Sequence, residues 1–355
     1  MDVFTGLVTG LFAAHLASRI PFRVEARKIR ACSFLEKRHS GAVLLRSESD
    51  PVHLYNFSVR CSLATIVVLL GTTVHAADLN MNLAQIMRGR SGTAVVVDAA
   101  SGRILADYRP EVAARRLARP GSAFKPFTLL ALLQSGKLRS TDSLVCRRNL
   151  HVGGHDLSCS HPQTGPLQAV SALAYSCNDF FATFGLRLTA RDLQGVFTQA
   201  GFASPSGFVS NEAVGSIHLA GSDEERQLQA IGEGDMRITP LEMLAAYRNL
   251  ALRRTAADTT EAERTVFRGL EAATDYGMAR LASLAGMKIA GKTGTSRTDQ
   301  GAWTNAWFSG YAPADKPQIA VVVFLEKGTG PGDAAVLGGE IFRAWFQSKP
   351  EGKKP

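Results

Sequence analysis

A hydroxyl and an amine lie one helical turn apart in the Ser-Ala-Phe-Lys run from Ser122 to Lys125. Residues at this spacing project from the same face of a helix. A serine hydroxyl is a poor nucleophile without a base, and a lysine can act as that base if burial lowers its pKa. The pair therefore predicts acyl transfer, with Ser122 as nucleophile and Lys125 as base, although Ser-x-x-Lys alone is a short pattern.

A second pair of polar side chains, Ser176 and Asn178, ends an apolar stretch from Leu167 to Tyr175 that we expect to be helical. The Ser176 hydroxyl could relay a proton to a leaving group, and the Asn178 amide could hold a substrate carbonyl. The alternative is an ordinary cap or turn serine.

A third cluster, Lys292-Thr293-Gly294-Thr295, lies on a predicted strand. One cation and two hydroxyls suit the carboxylate of a substrate. Gly294 would remove a side chain that blocks an approaching peptide. A glycine in a strand can also mark a simple bulge.

The motifs Ser-x-x-Lys, Ser-x-Asn and Lys-Thr-Gly each occur once, and in that order. In this the chain resembles the transpeptidase domain of penicillin-binding proteins, the serine D,D-peptidases of bacterial cell-wall synthesis. The resemblance covers about Leu83 to Phe346 and includes runs beside the motifs. These runs are Arg119–Phe127, Ser176–Phe181, Ile231–Gly234, Thr239–Leu241, Ala290–Ser296 and Ala306–Pro313.

The resemblance implies a role for each matching residue. Catalytic roles fall to Ser122, Lys125, Ser176 and Lys292, and substrate binding falls to Asn178, Thr293, Gly294 and Thr295. Peptidoglycan stem peptides and β-lactam antibiotics are the implied partners, other cell-wall synthesis proteins are candidates, and no cofactor is implied. The family usually has Thr where Ala123 stands, and Gln is common where Glu233 stands.

Two alternatives remain open. A serine β-lactamase or penicillin-sensing domain resembles the same fold, but the stretch from Trp307 to Pro313 favours the cell-wall enzymes, and no deacylating carboxylate is evident in the sequence. A non-catalytic cell-wall scaffold would have no need for the intact set of catalytic residue types.

The elements that must position these residues follow from local patterns. A hairpin is expected over Gly92–Tyr108, and a helix from Ser122 to a C-cap at Gly136. Thr239, Pro240 and Glu242 predict a capped helix start. Strands are expected at Met287–Thr295, Asn305–Tyr311 and Gln318–Glu326, with a closing helix at Ile341–Phe346. The prediction is an α+β fold, in which an antiparallel sheet is flanked by helices and carries an inserted helical lobe.

An export signal is expected ahead of this domain. Arg60 precedes the apolar run Leu63–Leu70 and small residues up to Ala77, as in a secretory signal peptide. The predicted segments are a non-native or cytoplasmic extension at 1–58, a signal peptide or signal anchor at 59–77, the catalytic domain at 83–347 and a charged tail at 348–355. We expect a periplasmic or cell-envelope protein that touches the membrane only if the signal segment stays uncleaved.

The net charge of +9 does not indicate nucleic-acid binding. Residues 1–77 hold nine Lys/Arg against five Asp/Glu, which accounts for +4 of the total. The rest is spread through the chain without an RNP-type or basic-helix motif, so no nucleic-acid partner is expected.

The cysteines of the expected mature chain are Cys146, Cys159 and Cys177. Outside the reducing cytosol, Cys146 and Cys159 are close enough in sequence to form a disulfide, which is our prediction. A zinc site could be drawn with His151, His155 and His161. Their spacing fits no C-x-x-C or H-x-x-x-H pattern, so no metal is expected.

Overall fold

An antiparallel sheet of five strands lies at the centre of the fold. The computed structural model describes residues 79–162 and 164–349. In chain order the strands are β1 (Gly92–Asp98), β2 (Ile104–Tyr108), β3 (Ser143–Leu144), β4 (His151–Val152), β5 (His155–Asp156), β6 (Leu167–Gln168), β7 (Ser216–Ile217), β8 (Met236–Arg237), β9 (Ala290–Arg297), β10 (Thr304–Ala312) and β11 (Ile319–Leu325). The main sheet has the order β2-β1-β11-β10-β9, which leaves β9 at an edge.

Helices cover both faces of this sheet. They are α1 (Pro110–Arg115), α2 (Lys125–Gln134), α3 (Ala169–Ala174), α4 (Asn178–Gly185), α5 (Ala190–Gln199), α6 (Asp223–Ala230), α7 (Pro240–Arg254), α8 (Glu261–Asp275) and α9 (Ala335–Gln347). Residues 79–86 are also helical. Among the helices described, none combines the length and the hydropathy needed to cross a bilayer.

The central strand β11 supplies both halves of the core. Ala320, Val322 and Phe324 point into a cluster with the helices between β2 and β9, among them α2 and α7. The alternate residues Val321 and Val323 point into a second cluster with α9. Since successive side chains of a strand face opposite sides, this all-apolar strand is buried on both faces.

The α+β fold expected from the sequence is confirmed. The hairpin over Gly92–Tyr108 is present as β1 and β2, and β9, β10 and β11 form the expected antiparallel meander. Thr239 caps α7 and forms the predicted capping box with Glu242. These features rest on short-range patterns, which explains why the sequence was sufficient to predict them.

The closing helix α9 begins at Ala335, six residues before the predicted start at Ile341. Glycines at 338 and 339 interrupt the apolar pattern that sequence reasoning follows. In the structure a Cβ at Gly338 would lie 2.4 Å from Cδ1 of Phe308. Because Gly338 has no side chain to collide with Phe308, α9 can pack closely on β10.

The predicted extension at 1–58 and the signal segment at 59–77 lie outside the described residues, as do residues 350–355 of the tail.

Candidate active site

Ser122 lies in a short 3-10 turn, Gly121–Phe124, that leads directly into α2. The expected C-cap glycine of this helix, Gly136, has a φ of 68°. The backbone carbonyl of Arg119, just before the turn, accepts hydrogen bonds from Trp307 Nε1 at 2.9 Å and from Ser296 Oγ at 2.6 Å. The turn that carries Ser122 is thus tied to strands β9 and β10.

Two glycines allow the turn to touch the edge strand β9. A Cβ at Gly121 would lie 2.5 Å from the backbone oxygen of Thr295, and a Cβ at Gly294 would lie 2.5 Å from that of Pro120. The sequence suggested that Gly294 keeps space for a peptide. In the structure its missing side chain leaves space for the turn before Ser122, so the backbones of Ser122 and Thr295 lie close together.

Ser176 occupies a strained backbone position at the end of α3. Its φ is 57°, in the left-handed region that glycine normally fills at this point of a helix end. Ser176 N donates to Leu173 O at 3.2 Å and Cys177 N donates to Ala172 O at 3.0 Å, the two bonds of a Schellman motif. A non-glycine residue in this conformation often marks a functional site.

Two buried lysines converge on Ser176. Lys125 Nζ donates to Ser176 O at 2.7 Å, to Ser176 Oγ at 3.3 Å and to Asn178 Oδ1. Lys292 Nζ donates to Ser176 Oγ at 2.8 Å and to Thr293 O at 3.0 Å. Within the described residues no hydrogen bond joins Lys125 to the Ser122 hydroxyl; catalytic hydrogen bonds often tighten only when substrate is bound.

Burial lowers the pKa of both amines. The pKa of Lys125 falls to about 8, because the buried ammonium loses its hydration. The pKa of Lys292 lies well below its usual range, through burial first and then through repulsion from Lys125. Each lysine therefore releases a proton more easily than an exposed lysine does.

Residues from all three motifs line one cavity of about 500 Å³. The lining includes Ser122 from the first motif, Ser176 and Asn178 from the second, and Thr293 and Thr295 from the third. Asn178 is fixed by a bond from Nδ2 to Leu157 O at 2.8 Å, and the Thr295 hydroxyl accepts a bond from Gly330 N at 2.9 Å. The predicted site residues, far apart in sequence, are thus brought together.

Glu233 is a cavity residue whose importance the sequence did not reveal. Burial raises the pKa of its carboxyl to about 7, against the opposing effect of Arg119 and Arg297. It lines the same cavity as Ser122. The sequence identified Glu233 only as a departure from the family pattern; its position between Gly232 and Gly234 was the available signal.

The expected disulfide between Cys146 and Cys159 is not formed in the structure, where both residues are free thiols. Cys159 Sγ instead lies 3.8 Å from Cys177 Sγ. His151 and His155 are exposed, and His151 pairs with Asp156 at 2.9 Å. His161, by contrast, is buried beside the three cysteines.

Comparison with known families gives an extended match. The penicillin binding protein transpeptidase domain matches residues 92–347. Peptidoglycan D,D-transpeptidase PbpA of Mycolicibacterium smegmatis is 29% identical over 253 residues, in a match that covers 59% of this chain and 50% of that protein. Peptidoglycan D,D-transpeptidase FtsI of Escherichia coli K12 is 27% identical over 290 residues, 70% of this chain and 49% of that protein. The chain thus spans about half the length of the curated relatives it matches.

The fold also matches solved structures. The crystal structure of Pseudomonas aeruginosa PBP2 in complex with WCK 5153 superimposes with a TM-score of 0.68 at 23% identity, covering 78% of each chain. At this level of identity the comparison supports the arrangement of sheet and helices described above.

Proposed function

We infer that this chain, which belongs to the penicillin-binding protein transpeptidase family, is a serine D,D-peptidase that acts on the D-Ala-D-Ala stem peptides of peptidoglycan. The observation that carries the proposal is the single cavity lined by Ser122, Ser176 and Thr295. The names of the relatives PbpA and FtsI, both peptidoglycan D,D-transpeptidases, support the same substrate.

Acylation begins when neutral Lys125 accepts the proton of the Ser122 hydroxyl. The Ser122 oxygen attacks the carbonyl between the two D-alanines, the peptide bond breaks, and the departing amine takes a proton through Ser176. The products are a serine ester and free D-alanine. A lysine pKa of about 8 supports this role, because about one Lys125 in ten is then neutral at pH 7, far more than for an exposed lysine.

The negative charge that develops on the carbonyl oxygen is stabilised by the backbone amides of Ser122 and Thr295. One such donor contributes on the order of 3 kcal/mol in other serine enzymes. The close contact of Gly121 with Thr295 O supports this pairing, because it holds the two backbone segments side by side.

The terminal carboxylate of the substrate is held by Lys292, Thr293 and Thr295, and Asn178 orients the acyl chain. Lys292 Nζ donates to the Ser176 hydroxyl at 2.8 Å, and Ser176 lines the cavity, which supports this placement of the carboxylate. Proteins that bind β-lactams through this machinery form the same serine ester, so we propose that the chain also binds β-lactam antibiotics.

The identity of the group that attacks the ester decides between two activities. An amine from a second stem peptide gives transpeptidation, and water gives carboxypeptidation. Glu233 makes water a second candidate acceptor. A cavity carboxyl with a pKa of about 7 can act as the general base that takes a proton from the attacking water. The same residue keeps a β-lactamase-like hydrolysis among the candidates.

Export to the cell envelope follows from this function, because the polymer that carries the stem peptides lies outside the cytoplasm. The segment at 59–77 would then serve as signal peptide or anchor. A scaffold role, without chemistry, is the remaining alternative and is decided by the experiment below.

Mass spectrometry of muropeptide digests tests the function. Purified chain is incubated with peptidoglycan containing pentapeptide stems, and the digest is compared with one treated with Ser122→Ala. We expect loss of D-alanine, new cross-links or both with the wild-type chain, and neither with the variant, since the ester cannot form. The matched control is Ser283→Ala, an exposed serine outside the cavity, which should act like wild type.

Unchanged muropeptides with a folded wild-type chain would support the scaffold alternative. Nitrocefin turnover measured on the same preparation separates the remaining cases. Many rapid turnovers would indicate a β-lactamase, while a single slow burst is expected of a D,D-peptidase.

A further inference from the structure

Four side chains with metal-binding atoms meet beside the active site. They are Cys146, Cys159, His161 and Cys177, and one ligand atom from each lies within 4.8 Å of all the others. Cys159, His161 and Cys177 are buried, and Cys146 is partly buried. Three cysteines and one histidine form a common ligand set of structural zinc sites.

The position of the His161 ring leaves one of its nitrogen atoms available to bind a metal. His161 is 1% exposed, and its Nε2 atom is buried without a hydrogen-bond partner among the described residues. Its other nitrogen, Nδ1, lies 2.7 Å from Pro162 O, to which it can donate only if it carries the proton. Nε2 is then left with a free lone pair. A ring held in this way by a backbone carbonyl is the usual arrangement behind a zinc-bound histidine.

The three sulfur atoms are each placed by a backbone amide. Cys146 Sγ accepts a bond from Arg148 N at 3.3 Å, Cys159 Sγ from Asn178 N at 3.2 Å, and Cys177 Sγ from Phe180 N at 3.4 Å. Such bonds stabilise negative charge on sulfur, which a metal ligand must carry.

The spacing of the sulfur atoms fits a metal better than a disulfide. Cys159 Sγ and Cys177 Sγ are 3.8 Å apart. A disulfide needs about 2.05 Å between its sulfur atoms. Tetrahedral zinc with Zn–S bonds of about 2.3 Å separates its sulfur ligands by about 3.8 Å.

We propose that Cys146, Cys159, His161 and Cys177 bind a structural zinc ion. On binding, Zn²⁺ displaces the three thiol protons and takes the lone pair of His161 Nε2, which closes a four-ligand site. This assignment replaces the expectation of a disulfide and of no metal. It concerns the chain itself and does not depend on which acyl acceptor the enzyme uses.

The proposed zinc would fix the second catalytic motif. Cys177 lies between Ser176 and Asn178, and its sulfur caps α4. Cys146, Cys159 and His161 belong to the segment around the β4–β5 pair. A shared metal therefore ties this segment to the strained turn of Ser176.

Metal analysis of the full chain tests the proposal. Chain purified without chelators from zinc-containing medium is expected to hold about one zinc ion per molecule. His161→Ala should reduce the zinc content to near zero. The matched control is His151→Ala, an exposed histidine of the same segment outside the cluster, which should retain zinc at the wild-type level.

Two measurements on wild-type chain keep the test valid if His161→Ala does not fold. Replacing zinc by Co²⁺ should give sulfur-to-cobalt charge-transfer bands and the visible spectrum of a tetrahedral ion. Removing zinc with a chelator should lower Tm by about 5 °C or more. Absence of zinc from folded chain after reconstitution, or a thiol titration showing two of these cysteines in a disulfide, would overturn the proposal.

Discussion

At the scale of single residues, burial changes the chemistry of ordinary side chains. Lys125 is fully buried, and its pKa falls to about 8. Glu233 is half-buried in the cavity wall, and loss of hydration there raises its pKa to about 7. Both shifts favour the neutral form, as expected when a charge leaves water. The sequence identified Lys125 through its spacing from Ser122. It gave no measure of burial, so Glu233 stood out only as a departure from the family pattern.

Glu233 leads to a prediction on the hydrolysis of the acyl-enzyme. A carboxyl with a pKa of about 7 is mostly protonated below pH 7 and ionised above it, and only the ionised form can accept a proton from water. The rate of penicilloyl-ester hydrolysis should therefore rise as the pH passes through about 7. In Glu233→Gln this rise should be lost and the ester should persist at least about ten times longer, since general-base catalysis contributes on the order of 10²-fold or more.

The measurement is the decay of fluorescent penicillin label at several pH values. Glu224→Gln, an exposed glutamate of α6, is the matched control and should follow the wild-type profile. Parallel profiles for wild type and Glu233→Gln would show that another group activates the water.

At the scale of elements, the site depends on where helix α3 ends and on the contact between strand β9 and the turn that carries Ser122. The sequence predicted the helix after Ser122 and the capping box at Thr239, because caps and apolar periods are local signals. It could not predict that α3 ends in a Schellman turn with Ser176 at the position that glycine usually takes. Nor could it predict that Gly294 permits contact with Pro120, because that contact joins segments far apart in the chain.

Ser176 provides a prediction at this scale. Two substitutions can separate the effect of its backbone strain on stability from the effect of its hydroxyl on catalysis. Ser176→Gly and Ser176→Ala both remove the hydroxyl that the two lysines contact, so both should acylate and deacylate far more slowly. Only glycine adopts a φ of 57° without strain. We therefore expect the free energy of unfolding of Ser176→Gly to exceed that of Ser176→Ala by about 1 kcal/mol.

Urea unfolding of the two variants, followed by far-ultraviolet circular dichroism, gives this difference. Equal stabilities would mean that the turn relaxes and that its left-handed residue stores no strain.

At the scale of the whole molecule, the edge of the main sheet holds the candidate site residues in place. Strand β9 carries the third motif, and the turn with Ser122 packs directly on it. The order of the motifs in the sequence was enough to recognise the family. It could not predict that three cysteines converge with His161. The sequence spacing of these four residues fits no known metal-binding motif, and they meet only when the segment between α2 and α4 folds.

The central claim is that Ser122 forms the acyl-enzyme, and mass mapping of a penicillin adduct tests it most directly. The chain is treated with benzylpenicillin, its intact mass is measured, and proteolytic peptides locate the modification. We predict one adduct per chain, on the peptide that contains Ser122, and none in Ser122→Ala. An adduct on another residue, or an adduct of equal yield in folded Ser122→Ala, would contradict the account.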